Sequence, residues 1–253
     1  MTHTTSYSRA AYWTCFSGAL VLISSAVAAT ATEKPHWGYG VRNGPAHWSA
    51  MNDKFKTCGT GKHQSPIDIP RAAGKGGAKV TFDYQAGSAT VVNNGHTIQV
   101  NVAKGSKLSV GKRSYRLVQF HFHTPSENTV DGLHYPMETH LVHADEKGRL
   151  AVVALMVRIG DRSLIDRLPK PTEVNVMTST GKINPAKLLP SDKSHYAFTG
   201  SLTTPPCSEG VNWIVMKEPV EVTNATVAEF YAILGANNRP TNPRNGREIS
   251  LAK

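Results

Sequence analysis

Three histidines offer the most definite chemistry in this sequence. His121 and His123 lie two apart in Gln119-Phe120-His121-Phe122-His123, and His140 follows in Glu138-Thr139-His140-Leu141-Val142-His143. Side chains on a strand alternate faces with period two, so Gln119, His121 and His123 share one face while Phe120 and Phe122 share the other. Two imidazoles on one face can reach a single cation. A second strand, returning antiparallel through the Asp131-Gly132 turn, brings His140 opposite them. Three neutral imidazoles with a free fourth position are the donor set of a catalytic zinc site. Imidazole suits Zn2+ better than Mg2+ or Ca2+, which prefer oxygen. Gln119 and Glu138 each precede one of these histidines by two residues on the same face, where each can orient an imidazole N–H. Glu138 can equally be a ligand itself. On the residues alone, three ordinary core or surface histidines remain an alternative.

Such a site needs strands to hold it, and the chain supplies them. Short apolar-polar runs recur at 79–84, 89–93, 97–102, 107–110, 116–123, 138–144, 150–159 and 211–217, separated by Gly, Pro, Asn and Asp. Helical signals are few. Thr223 can cap a helix whose apolar positions Val227, Phe230, Tyr231 and Leu234 recur at helical spacing and which stops at Gly235. Asp161 to Leu168 reads as a weaker short helix ended by Pro169, and 72–77 as a short flexible loop. The expected fold is mainly β, one domain with a few short peripheral helices and long loops.

Residues 1–29 stand apart. A polar start with one cation, Arg9, precedes a small apolar run from Cys15 to Ala29, and both Val27-Ala28-Ala29 and Ala29-Thr30-Ala31 offer small residues for cleavage. That pattern is a secretory signal peptide; the apolar run is shorter than the ~20 residues of a spanning helix. The expected division is signal peptide 1–29 and catalytic domain 30–253, with the mature protein periplasmic or secreted and not inserted in a membrane. Cys58 and Cys207 then remain as an even pair, pointing to one disulfide, with two buried thiols as the alternative. The net charge of +10 is spread along the chain without a dense cluster or interleaved aromatics. It reads as solubility with a mild bias toward anions, not as a nucleic-acid surface. A homodimer is compatible with the sequence.

The motifs taken together resemble the α-class carbonic anhydrases, exported bacterial type. The resemblance rests on the two histidine segments and on Ser126-Glu127-Asn128-Thr129-Val130-Asp131. It extends through His36-Trp37-Gly38-Tyr39, Gln64-Ser65-Pro66-Ile67-Asp68-Ile69, Asn93-Asn94-Gly95-His96, Gly200-Ser201-Leu202-Thr203-Thr204-Pro205-Pro206 and Asn238-Arg239-Pro240. It implies a large, mostly antiparallel twisted sheet. It also implies reversible hydration of CO2 to bicarbonate and a proton, with Zn2+ as cofactor and CO2/bicarbonate as the small-molecule partners. His121, His123 and His140 would bind zinc. The metal lowers the pKa of a bound water toward neutrality (carbonic anhydrase is itself the standard example of that effect), and zinc-bound hydroxide attacks the CO2 carbon.

Further roles follow from the same resemblance. Thr203 would accept the hydroxide hydrogen while donating its own to Glu127, since an ionised carboxylate can only accept. Val142, Val152, Leu202, Val211 and Trp213 would form the apolar wall for CO2, with Thr203 and Thr204 beside the substrate. His96 would shuttle the proton to solvent, since an imidazole titrates near the pH of operation. Tyr39, Asn93 and Asn94 would order water. Asn238 departs from the aromatic residue that many animal relatives carry there. Two other readings compete: a non-catalytic binding module, for which the retained histidines are unfavourable, and a zinc hydrolase of esters.

Overall fold

A mixed sheet of 13 strands forms the body of the protein. The computed structural model describes residues 1–2 and 36–253, so all but the first two residues of the expected signal peptide lie outside the described residues. The main path of the sheet runs in space through Met177–Ile183, Gly87–Asn93, Ile98–Val102, Arg113–His123, Met137–Ala144, Leu150–Ile159, Glu209–Met216, His195–Ser201, Ser250–Ala252 and Gly74–Lys75. Most neighbours are antiparallel. Leu150–Ile159 runs parallel to Glu209–Met216 and to Val220–Val222, and Ser250–Ala252 runs parallel to Gly74–Lys75. The mainly β expectation holds, with a sheet more mixed than the resemblance implied.

Both faces of the sheet are covered. One carries a core of Leu117, Phe120, Phe122, Leu141, Val153, Leu155 and Ile214, closed by Phe230. Phe230 belongs to the helix Asn224–Leu234, where the Thr223 side chain accepts from the Thr226 N–H and Gly235 follows at φ 62°. The expected helix is therefore present with its predicted cap and stop. The other face packs Val152, Ala154, Val211, Trp213 and Val215 against Ile67 and Ile69. A near-continuous apolar run such as Leu150–Ile159 is what a strand buried on both faces requires.

The strand that carries the histidines contains an irregularity that positions them. Leu117 pairs with His143 and Gln119 with Val142, so Val118 is an extra residue with no partner. This β-bulge switches which residues point to the core. Tyr115 and Leu117 are buried before it, and Phe120 and Phe122 after it. Without that switch, one regular strand could not bury both sets.

Several expectations need correction. The strands Met177–Ile183, His195–Ser201, Val220–Val222 and Ser250–Ala252 were not expected, nor was the separate pair Asp68–Ile69 and Thr129–Val130. Gly74–Lys75 lies in the segment read as a flexible loop, yet it forms an edge strand beside Ser250–Ala252. The helix expected over 161–168 is only a 3-10 turn, Ile165–Arg167. Ser163 and Thr223 direct their hydrogens to the Asp166 carboxylate, which holds the segment to a local turn. Among the described residues no helix is long and apolar enough to cross a membrane.

Candidate active site

His121 and His140 pair directly across the antiparallel strands Arg113–His123 and Met137–Ala144. With His123 they place three ring nitrogens within 4.8 Å of one another, a group able to hold a metal ion. The opposite ring nitrogen of each faces an oxygen. His121 Nδ1 lies 2.9 Å from Gln119 Oε1. His123 Nδ1 lies 2.8 Å from the Asn237 carbonyl oxygen. His140 Nε2 lies 2.9 Å from Glu138 Oε1, in a contact too bent to count as a hydrogen bond. A carbonyl oxygen can only accept, so Nδ1 of His123 carries the hydrogen and Nε2 keeps its lone pair. That Nε2 is buried and has no partner. An orphaned buried acceptor is costly, and a bound cation removes the cost.

Electrostatics favour the neutral ligand form. Burial pushes His121 and His140 well below the ordinary imidazole range, and the neighbouring histidines add to it. Burial also lowers His123, against the opposing Asn237 carbonyl. Neutral imidazoles are what a metal requires.

Glu138 is committed elsewhere. Its Oε2 accepts from the Glu127 and Asn128 N–H groups at 2.7 and 2.8 Å, and its Oε1 from Asn128 Nδ2 at 2.7 Å. It is not in the group that closes on one point. Glu127 is fully buried. Burial raises its carboxyl to about 8, opposed by the nearby Thr203 hydroxyl and by a hydrogen bond from the Arg239 N–H. Its Oε2 lies 3.4 Å from His123 Nε2, so a cation held there would favour the ionised carboxylate.

The remaining expected residues divide between two walls. Val152, Val211 and Trp213 are buried in one cluster, with Val142 and Leu202 packed against it. The ring of Trp213 stands edge-on to His140 at 4.9 Å between centroids. Thr204, Tyr39, Asn94 and His96 line a cleft of about 130 Å³ that reaches His121 and His123. Asn93 does not line it. Its Nδ2 donates to the Pro171 and Thr172 carbonyls and its Oδ1 accepts from Gly95, because strand alternation turns it inward. Its role is structural. His96 stacks on Trp37 with centroids 3.6 Å apart and on His36 at 4.8 Å. Burial, with His36 adding to it, lowers its pKa to about 4. Stacked in this way, the ring is a poor proton acceptor at neutral pH.

Cys58 and Cys207 form the disulfide, with Cα atoms 5.0 Å apart. Near it stands a residue that the motifs left without a role. Arg239 is buried and donates to the Cys58 carbonyl, to Gln64 Oε1 and to the Ser65 carbonyl, while its own N–H serves Glu127 Oε1. Gln64 Nε2 completes the loop by donating to the Cys207 carbonyl. Gln99 was also missed. It lines the cleft and pairs across from His121; its alternation with buried Ile98 and Val100 is the signal that could have found it.

A three-imidazole donor set at the foot of a β-sheet cleft is the arrangement of a mononuclear metalloenzyme. Residues 43–253 match the model of the eukaryotic-type carbonic anhydrase family, and the chain belongs to that family of enzymes. It is 39% identical to a carbonic anhydrase of Pectobacterium carotovorum over 90% of this chain and 96% of that one. The α-carbonic anhydrase of Thermovibrio ammonificans, solved with the inhibitor sulfanilamide, superposes with a TM-score of 0.82 at 42% identity, covering 86% of this chain and 99% of that one. Dioscorin, solved with ascorbate, superposes with a TM-score of 0.76 at 28% identity, covering 86% and 98%.

Proposed function

We propose that this protein is an exported, zinc-dependent enzyme for the reversible hydration of CO2. The carrying observation is the buried, partnerless Nε2 of His123 within the closed group of three imidazoles. His121, His123 and His140 would hold Zn2+, which when bound supplies the Lewis acidity that makes water nucleophilic near neutral pH. Gln119 and the Asn237 carbonyl fix the His121 and His123 rings, and Glu138 stands against the third. Glu127, held by Arg239, takes the Thr203 hydroxyl hydrogen and leaves the Thr203 oxygen as an acceptor facing the reacting centre. Val142, Val152, Leu202, Val211 and Trp213 offer CO2, which has no dipole, an apolar surface. His96 takes the departing proton when its ring leaves the Trp37 stack and regains water. The disulfide suits an oxidising compartment, in keeping with a signal peptide at 1–29.

Fold alone does not choose between an enzyme and a binding module. The retained imidazole set favours the enzyme. Stopped-flow CO2 hydration on zinc-assayed protein tests the reading. Activity that disappears on chelation and returns with zinc is expected. A zinc-loaded protein without hydration activity would replace the enzyme with a binding role.

A further inference from the structure

The positive charge that is scattered along the sequence is gathered by the fold. Strand Lys107–Val110 pairs with Arg113–His123 so that Lys107 stands directly opposite Arg116. Both are exposed, whereas their inward neighbours Leu108 and Tyr115 are buried. Lys147 and Arg149 join them from the turn that follows Ala144, itself paired with Arg116. With Lys112 and Arg113 these residues line a groove of about 690 Å³, in which Asp145 and Glu146 are the acids. Asp145 is occupied, accepting from Arg149 Nε at 2.6 Å and from the Lys147 and Arg149 N–H groups. Lys107, Lys112, Arg113, Arg116 and Lys147 have no ion-pair partner among the described residues.

Like charges facing each other across an antiparallel pair weaken the sheet. Five unneutralised cations around one concavity also build a potential that concentrates anions. The lining narrows the choice of anion. It has no aromatic side chain, so bases find nothing to stack on. Ala144 is its one apolar residue, which leaves no seat for an acyl chain or an amphipathic peptide. It is concave, so a flat bilayer would meet only its rim. Arg113 and Arg116 provide planar forks that match phosphate oxygens, and three lysines add point charges.

The geometry points to this groove as a binding site for a linear anion that carries phosphate groups in series, such as a free polyphosphate or a phosphate-bearing glycan of the cell envelope. The groove shares no lining residue with the metal cleft, so the site acts apart from CO2 hydration and does not depend on that assignment.

The test is calorimetric titration of the zinc-loaded protein with tripolyphosphate at low and raised ionic strength. Lys107→Glu and Arg116→Glu serve as variants. Each puts a carboxylate opposite a cation, so melting temperature should hold or rise, and CO2 hydration should be unchanged. Binding that falls with salt and weakens on the order of tenfold in each variant supports the site. A phosphorylated glycan fragment binding more tightly than tripolyphosphate at equal charge would identify the glycan as the source, and the reverse order the free polymer. Tripolyphosphate binding that is absent, that both variants leave intact, or that orthophosphate matches would overturn the proposal. So would binding to phosphatidylglycerol vesicles or oligothymidine without binding to tripolyphosphate.

Discussion

Replacing Arg239 with Met should damage stability and catalysis together, although Arg239 does not belong to the three-imidazole group. The guanidinium serves three buried acceptors: the Cys58 carbonyl at 2.7 Å, the Ser65 carbonyl at 2.8 Å and Gln64 Oε1 at 2.9 Å. It also lies 5.7 Å from the centroid of Trp48. Each stranded acceptor costs about 1–3 kcal/mol, but neighbouring acceptors relax together, so the simple sum is too large. Removing one member of a buried charged network costs about 3–5 kcal/mol. For a domain of this size, 1 kcal/mol moves the melting temperature by about 2–4 °C. The expected fall is therefore about 6–20 °C, read by calorimetry at matched zinc content, since metal loss would itself lower the transition. Arg239→Lys keeps the charge but cannot reach all three acceptors, and should fall between. The backbone N–H that serves Glu127 survives in both variants. Loss of kcat should therefore track the loosening of the Glu127 and Thr203 loops, with KM less affected. A melting temperature within about 2 °C of the parent, or an Arg239→Lys variant no better than Arg239→Met, would refute the reasoning.

Three further outcomes are expected. Trp37→Ala should return the His96 titration, followed by NMR, from about 4 toward the ordinary value of ~6.5, and an unmoved resonance would show that the stack does not hold the ring. Reduction of Cys58–Cys207, which spans 149 residues, should cost about 5 kcal/mol in the chain-entropy model, so a melting temperature indifferent to strong reductant would contradict it. Asp166 is held well below the usual carboxylate range: burial opposes this, but hydrogen bonds from Ser163, Thr223 and Thr226 outweigh it. A depressed folded pKa gives stability that is present above the unfolded value of ~3.9 and lost as pH falls below it. Asp166→Asn should therefore flatten the acid side of the stability curve, and an equal slope in both proteins would exclude the assignment.

The sequence was most informative where period-two alternation and apolar burial agree. The segments holding His121, His123 and His140 were legible because Phe120, Phe122 and Leu141 mark the core face between them. The helix at Asn224–Leu234 was legible for the same reason, with Thr223 and Gly235 as punctuation. Met177–Ile183 was not, because it is a largely exposed edge strand of Met, Thr, Ser and Gly whose inward positions Thr178 and Thr180 are polar and only half-buried. The Asn237 contact to His123 uses a main-chain carbonyl, which any residue could provide, so no side-chain pattern announces it. Asn93 and Asn94 looked equivalent as neighbours, and only the direction of the strand's last residue separates them. The cationic groove escaped because its members come from three segments that only the sheet register brings together.

The unpaired Val118 has a consequence for how this chain can change over time. A strand without it would be regular: Leu117 would stay opposite His143, Gln119 would follow it opposite Val142, and every side chain beyond would keep its present side. Deleting Val118 would therefore keep His121 and His123 on the cleft face and Phe120 and Phe122 in the core, and would remove only the bulge. Substitutions at Val118, which is 37% exposed, should be tolerated, whereas straightening the strand with Val118 paired to Val142 would turn His121 and His123 into the core. For this stretch of chain, the bulge is what allows an extra residue to be carried without moving the ligands.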